Sequence, residues 1–334
     1  MTPRRNPVRP SISPALRRVG AAAAGLVLVG VAASGCGSGE EGSSSDGGAA
    51  PKVLATTSIL ADVTDQVACG KLSVEPVVPL GADPHEFQPT VRDADRLQGA
   101  ALVVANGLGL EEGLSDSLDR ARDEGTVVLE VGPDLDPEEV DGEQDPHVWT
   151  DPERMVTAAG VIGERLGEVS GLGVGKEEIA PCTAAYQQRL RDLTTSMTAT
   201  LAAVPPERRA LVTAHESLGY FADRFGFRVV GAVIPSTSSL GESDPRQLDE
   251  LAAEVRAAGV PAVFGEATSP GKVASALADR VGSGVQVVAL GSESLGPAGS
   301  PTATYVELMQ VLAADVAAAL GPAPSAPAAP TTAG

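Results

Sequence analysis

Short apolar runs and amphipathic stretches alternate along most of the chain. Residues 52–57 (Lys-Val-Leu-Ala-Thr-Thr) read as a buried strand, and Ser58 is placed to cap a helix over 59–68. A second strand is predicted over 72–78, a helix over 91–98, a strand over 101–105, a helix over 111–123 and a strand over 126–130. This is the alternation of a parallel sheet with helices on both faces. A helix over 152–168 follows. From 183 to 204 there is no Gly or Pro, and apolar Tyr186, Leu190, Leu193, Met197 and Leu201 recur at steps of four, three, four and four, a helical face. With a start near 176–180 this helix runs about 25 residues, or about 37 Å, more than one small sheet needs. Pro205-Pro206 stops it.

Beyond it the pattern restarts: strand 210–214, helix 217–225, strand 228–233, helix 245–258, strand 261–265, helix 271–281, strand 286–290 and a closing helix over 304–320. The predicted class is therefore α/β, with two βα lobes of parallel strands joined by one long rigid helix. The expected division is 52–175 for the first lobe, 176–204 for the linking helix and 205–320 for the second lobe. Ligands of such sheets bind off the carboxyl ends of the strands.

The ends of the chain read differently. Arg4, Arg5, Arg9, Arg17 and Arg18 precede an apolar stretch over 21–33, and Ala33-Ser34-Gly35-Cys36 follows. That order is a signal peptide (1–35) closing in what looks like a bacterial lipobox, with Cys36 the lipidated first residue of the mature protein. It predicts an N-terminal lipid anchor on the outer face of the cell membrane. Residues 36–51, rich in Gly, Ser and acids, read as a flexible tether, and 321–334, rich in Pro, Ala and Thr, as a disordered tail. The formal charge is −20, and about −25 without those five arginines. Such an acidic chain is expected to bind no nucleic acid; it attracts cations, but taken alone the charge reads first as general solubility. Cys69 and Cys182 remain as an even pair in an export compartment, the circumstance in which a disulfide persists.

The chain has three histidines and one tryptophan. His85 lies in Asp83-Pro84-His85-Glu86-Phe87, His147 in Asp145-Pro146-His147-Val148-Trp149, and His215 ends the strand over 210–214. Each sits at a strand end or in a Pro-fixed loop, where the fold can bring all three imidazoles to one metal ion. They lie 62 and 68 residues apart, unlike the short ligand pairs of structural zinc sites. A site made from them must be assembled between lobes, which suits an ion that is bound and released. The acidic run from Asp134 to Asp145 leads directly into His147, either as a solvated loop or as a cation-collecting lip.

At this point the residues resemble a family. Gly81-Ala82-Asp83-Pro84-His85-Glu86-Phe87-Gln88-Pro89, Asp145-Pro146-His147-Val148-Trp149, Thr213-Ala214-His215-Glu216-Ser217-Leu218-Gly219-Tyr220-Phe221 and Val263-Phe264-Gly265-Glu266-Ala267-Thr268-Ser269-Pro270 together look like the zinc- and manganese-binding solute receptors of bacterial ABC importers. The resemblance runs over 53–320. It implies two βα lobes on a rigid helix, a metal in the cleft, delivery to a membrane permease and no enzymatic activity. It carries metal ligation to His85, His147 and His215. The family's fourth ligand is an aspartate; here Glu293, in Leu290-Gly291-Ser292-Glu293-Ser294-Leu295, stands at that place. Glu266 is the reserve candidate, otherwise a carboxylate structuring the turn at Ser269-Pro270. Three imidazoles with one carboxylate favour zinc over manganese, which prefers more oxygen. A monomer is expected, with small rearrangements mainly in the loops bearing His147 and His215.

Two other classes remain in view. A lipid-anchored metallohydrolase would need an open coordination position and a base, for which Glu216 or Glu266 would serve, but a fourth protein ligand closes that position. An adhesin-like lipoprotein with structural metal would melt on metal removal, whereas a receptor stays folded.

Overall fold

The computed structural model describes residues 53–268 and 271–322. The signal peptide, Cys36, the tether, Ser269-Pro270 and the tail from 323 lie outside the described residues. The first lobe contains β1 (Val53–Ala55), α1 (Ser58–Ala68), β2 (Val74–Pro76), α2 (Val91–Gln98), β3 (Leu102–Ala105), α3 (Ser115–Asp123) and β4 (Val127–Glu130). Its strands form a parallel sheet in the order β2-β1-β3-β4. A small antiparallel hairpin, β5 (Glu139–Val140) and β6 (Glu143–Gln144), occupies the acidic stretch that was predicted as plain loop. Then come α4 (Pro152–Glu168) and α5 (Lys176–Leu201).

The second lobe is built from β7 (Ala210–His215), α6 (Gly219–Phe225), β8 (Arg228–Ile234), α7 (Pro245–Ala258), β9 (Ala262–Glu266), α8 (Lys272–Val281), β10 (Gln286–Leu290) and α9 (Tyr305–Leu320). Its sheet is also parallel, in the order β10-β9-β7-β8. β1, β3, β7 and β9 are buried along their whole length. Apart from Thr213 and the terminal His215 and Glu266, these runs are apolar without alternation, as strands covered on both faces must be.

The linking helix α5 has 26 residues, about 39 Å at 1.5 Å per residue. It buries Ile179, Tyr186, Leu190, Leu193, Met197 and Leu201, which include the five positions of the predicted stripe. α1, α4 and α9 pack against it. Its apolar stripe joins a hydrophobic core that runs without interruption from Val53 and Leu102 of the first lobe to Phe264 and Leu290 of the second. The two lobes therefore share a spine. A disulfide between Cys69, at the end of α1, and Cys182 of α5, with Cα atoms 5.8 Å apart, fastens the first lobe to it.

Local chemistry departs from the sequence reading in three places. Thr57, not Ser58, caps α1, its side chain accepting from the Leu60 N–H at 3.2 Å. Ser58 is thereby free to reach the second lobe: its Oγ accepts from the Leu295 N–H at 3.0 Å and lies 3.2 Å from Ser294 Oγ. The helix expected over 111–123 is broken into a single 3-10 turn (Glu112–Leu114) before α3, because Glu111 turns inward. Its carboxylate accepts from Thr56 Oγ1 and from the backbone N–H groups of Asn106 and Gly107. The helix expected from 217 begins at Gly219, leaving Ser217 outside it.

Candidate metal centre

The carboxyl ends of the two sheets bring the candidate side chains together. His215 is the last residue of β7 and Glu266 the last of β9. Glu293 follows β10 by three residues, His85 lies in the turn after β2, and His147 opens a 3-10 turn before α4. All five are buried: His147 is 0% exposed and none of the others exceeds 6%. His147 Nε2 lies 3.3 Å from His85 Nε2 and 3.2 Å from His215 Nε2. Glu293 Oε1 stands 3.9 Å from His147 Nε2 and 4.0 Å from His215 Nε2. Their possible ligand atoms fall into two triads that share His215: His85 with His147 and His215, and His215 with Glu266 and Glu293.

The His147 imidazole is held from behind, and the His85 loop is pinned through its backbone. The chain carries the tripeptide Asp-Pro-His twice, and both copies fold alike. Asp83 Oδ1 accepts the His85 backbone N–H at 2.9 Å, and Asp145 Oδ1 accepts that of His147 at 3.0 Å. Asp145 Oδ1 also takes the His147 ring at Nδ1, 2.7 Å away, which leaves Nε2 with its lone pair turned into the site. These two aspartates were read only as parts of loops; the repeated tripeptide was the signal that could have found them. His215 Nδ1 faces Glu266 Oε1 at 3.8 Å.

The electrostatics suit a cation. Burial, aided by its imidazole neighbour, pushes His85 down to about 4. Burial pushes His147 down to about 3 and His215 well below its usual value. At neutral pH all three rings are neutral and offer lone pairs. Burial raises Glu266 to about 7, and raises Glu293 well above the usual carboxylate range, with Glu266 adding to the shift. The two carboxylates differ in one respect. Glu266 accepts from Ser217 Oγ at 3.1 Å and from Ser292 Oγ, whereas both oxygens of Glu293 are buried with no hydrogen-bond partner. An unpaired buried carboxylate costs several kcal/mol, and a divalent ion would offset that cost. Glu266 reaches the turns after the two neighbouring strands; its expected role at Ser269-Pro270 lies outside the described residues. Ser217 and Ser292 carry no sequence signal; only the folded sheet shows them.

A cavity of about 370 Å³ leads from His85 outward, lined by Leu108, Glu112, Glu143, Pro146 and Thr237 among others. The acidic hairpin thus lends Glu143 to the mouth, while Glu138 is engaged by Arg154 at 2.6 Å. Across the mouth Ser239 Oγ donates to Asp83 Oδ2 at 2.8 Å, joining the lobes next to His85.

This geometry agrees with what the chain resembles. Residues 53–319 match the family model described as zinc-uptake complex component A, periplasmic. The chain belongs to that family. It is 32% identical over 290 residues to the manganese-binding lipoprotein MntA of Halalkalibacterium halodurans, covering 85% of this chain and 93% of that protein. It is 33% identical over 268 residues to the zinc-binding protein TroA of Treponema pallidum, covering 78% and 85%. The solved structure of that periplasmic zinc-binding protein superposes with a TM-score of 0.76 over 81% of this chain and 99% of its own, at 30% identity. The manganese ABC transporter substrate-binding lipoprotein PsaA of Streptococcus pneumoniae is 28% identical over 70% of this chain and 77% of its own. As a member of the zinc-uptake component A family, the chain is a metal-binding receptor for ABC import, with a permease as its partner, and not an enzyme. Its fold is the TroA-like α/β fold, with a buried His/Glu cluster between the sheets.

Proposed function

We propose that the chain captures zinc, through His85, His147, His215 and Glu293, and hands it to its permease. The observation that carries this reading is the Glu293 carboxylate, buried without a hydrogen-bond donor and facing imidazole nitrogens. Bonds of about 2.0–2.1 Å to a tetrahedral zinc put neighbouring nitrogens about 3.3–3.4 Å apart. The Nε2 separations of 3.3 and 3.2 Å are near that edge, and Glu293 Oε1, at 3.9 and 4.0 Å from two of these nitrogens, moves inward to complete the set. Three nitrogens and one oxygen favour zinc over manganese. The manganese-binding names of MntA and PsaA support manganese as the second reading.

Capture takes an ion out of water and into a cleft of neutral rings. Burial raises Glu293 well above the usual carboxylate range, so ion capture competes with a proton there. Cys36 anchors the receptor to the outer face of the membrane by lipid, with 36–51 as tether, and the receptor works as a monomer. Competitive zinc and manganese titration of the purified chain, with His147→Ala and Glu293→Ala alongside, tests the assignment. One zinc per chain, held at least tenfold more tightly than manganese and weakened by both substitutions, is expected. Manganese outcompeting zinc reverses the choice of ion. Normal binding by Glu293→Ala removes it from the ligand set. A Cys36→Ser variant is expected to leave the membrane fraction.

A further inference from the structure

Glu266 ends β9, the strand that lies between β10 and β7. The register places it opposite Leu290 of β10, and two residues earlier Phe264 pairs with Thr213 of β7. Its carboxylate therefore stands between the turn that follows His215 and the turn that carries Glu293. It grips both. Ser217, two residues after His215, donates from Oγ to Oε1 at 3.1 Å, and Ser292, the neighbour of Glu293, donates from Oγ to Oε2. Ser217 and Ser292 are 0% and 2% exposed. The carbonyl of the same Ser292 accepts the Trp149 indole N–H at 2.8 Å, two residues after His147. One buried carboxylate thus fastens the segments of two proposed ligands, His215 and Glu293, and the Ser292 carbonyl adds the segment of a third, His147. His85 stands outside this network, held by Asp83.

We infer that Glu266 is a specificity-determining positioning residue: by tying Ser217 to Ser292 it fixes the spread between His215 and Glu293 and so favours a small four-coordinate ion over a larger one. This rests on the zinc-receptor reading of the site. The physical reason is coordination number. Zinc accepts four ligands at short distances, whereas manganese seeks about six, mostly oxygen. Fixed turns limit how far the Glu293 carboxylate can swing toward a bidentate position or make way for water. With the turns released, both become available, and both help manganese more than zinc. Hydroxyl groups engage both oxygens of Glu266 while those of Glu293 are free of donors; Glu266 also clusters with His215 and Glu293 as a possible ligand, and a comparison with His215→Ala separates a positioning role from a ligating one.

The test compares the full chain with Glu266→Ala, Glu266→Gln and Ser292→Ala, each titrated with zinc alone, manganese alone and the two in competition. For Glu266→Ala the expected result is one zinc per chain and a zinc-over-manganese affinity ratio at least tenfold below wild type. Glu266→Gln, whose amide still bridges the two hydroxyls, should recover most of that ratio. Ser292→Ala, which cuts one arm of the clamp with little change in packing, should lower it by a smaller factor. Manganese electron paramagnetic resonance should show a more regular, water-richer site in Glu266→Ala. Equal loss of zinc and manganese affinity in all three variants, with the ratio unchanged, overturns the proposal in favour of a merely structural carboxylate. Loss of zinc as complete as in His215→Ala overturns it in favour of a direct ligand. A wild-type chain that binds neither ion sinks the receptor reading itself, whereas a change confined to the variants bears on Glu266 alone.

Discussion

The indole N–H of Trp149 donates to the backbone carbonyl of Ser292 at 2.8 Å, so the His147 segment of the first lobe hangs from the residue beside Glu293 in the second. The Trp149 carbonyl in turn accepts from the Tyr305 hydroxyl at 2.6 Å. Trp149→Phe keeps a ring in the core and removes the donor, leaving a buried carbonyl unpaired at about 1–3 kcal/mol. The expected outcome is a lower melting temperature of the apo protein and weaker zinc binding, with the stoichiometry unchanged. Unaltered zinc affinity would show that the link holds the lobes and not the ligands.

The second lobe grips the His147 segment at two further places. Tyr220 OH donates to the Asp145 carbonyl at 2.7 Å, and Arg224 forks onto Asp151 at 2.8 and 2.7 Å. His85 is tied more lightly, through Asp83 and Ser239. The sequence expectation places movement mainly in the loops of His147 and His215; the lighter tethering of His85 makes its earlier release the testable alternative. Ser239→Ala should therefore speed zinc release about tenfold, the equivalent of about 1.4 kcal/mol, with little change in melting temperature. Stopped-flow transfer of zinc to a chromophoric chelator measures it.

The Cys69–Cys182 bridge closes a loop with a sequence separation of 113 residues. Chain entropy alone makes such a bridge worth about 4–5 kcal/mol. Reduction, or Cys69→Ser with Cys182→Ser, should lower stability in urea by roughly that amount. Zinc stoichiometry should stay the same, because the bridge fastens the spine and touches no ligand.

The apo protein should be most stable at mildly acidic pH. His85 and His147 are held down to about 4 and about 3 by burial, so below the ordinary histidine value of about 6.5 the unfolded chain takes up protons that the fold refuses, and stability falls as pH falls. Glu266 and Asp145 are raised by burial to about 7 and about 6. There the folded state keeps protons that the unfolded chain releases, and stability falls as pH rises from about 4.5 through those values. Between about 4.5 and 6.5 the two effects oppose each other. Melting temperatures of metal-free protein from pH 3.5 to 8.5 should trace a dome with its top in that window, and bound zinc should move the top upward by holding the carboxylates ionised. A melting temperature of the apo protein that rises steadily to pH 8 would contradict these shifts.

The residue pattern by itself determined the elements and the residue types offered as ligands. Two series of buried parallel strands, a 26-residue helix with one apolar stripe and three histidines at strand ends or Pro-fixed turns follow from local periodicity and backbone restriction, which act over a few residues. The Asp-Pro-His repeat was equally local and marks Asp83 and Asp145 as the residues that hold their histidines. What tertiary structure alone decided is which side chains meet. Nothing near Ser217 or Ser292 in sequence ties either to Glu266, 49 and 26 residues away. Nothing near Ser58 places it against Leu295, 237 residues on. Those pairings arise because parallel strands lie side by side in an order unlike that of the chain, β10-β9-β7-β8, and so deliver residues far apart in sequence to the same edge. The sequence names the groups that can bind a cation; the order of the strands fixes the distances between them.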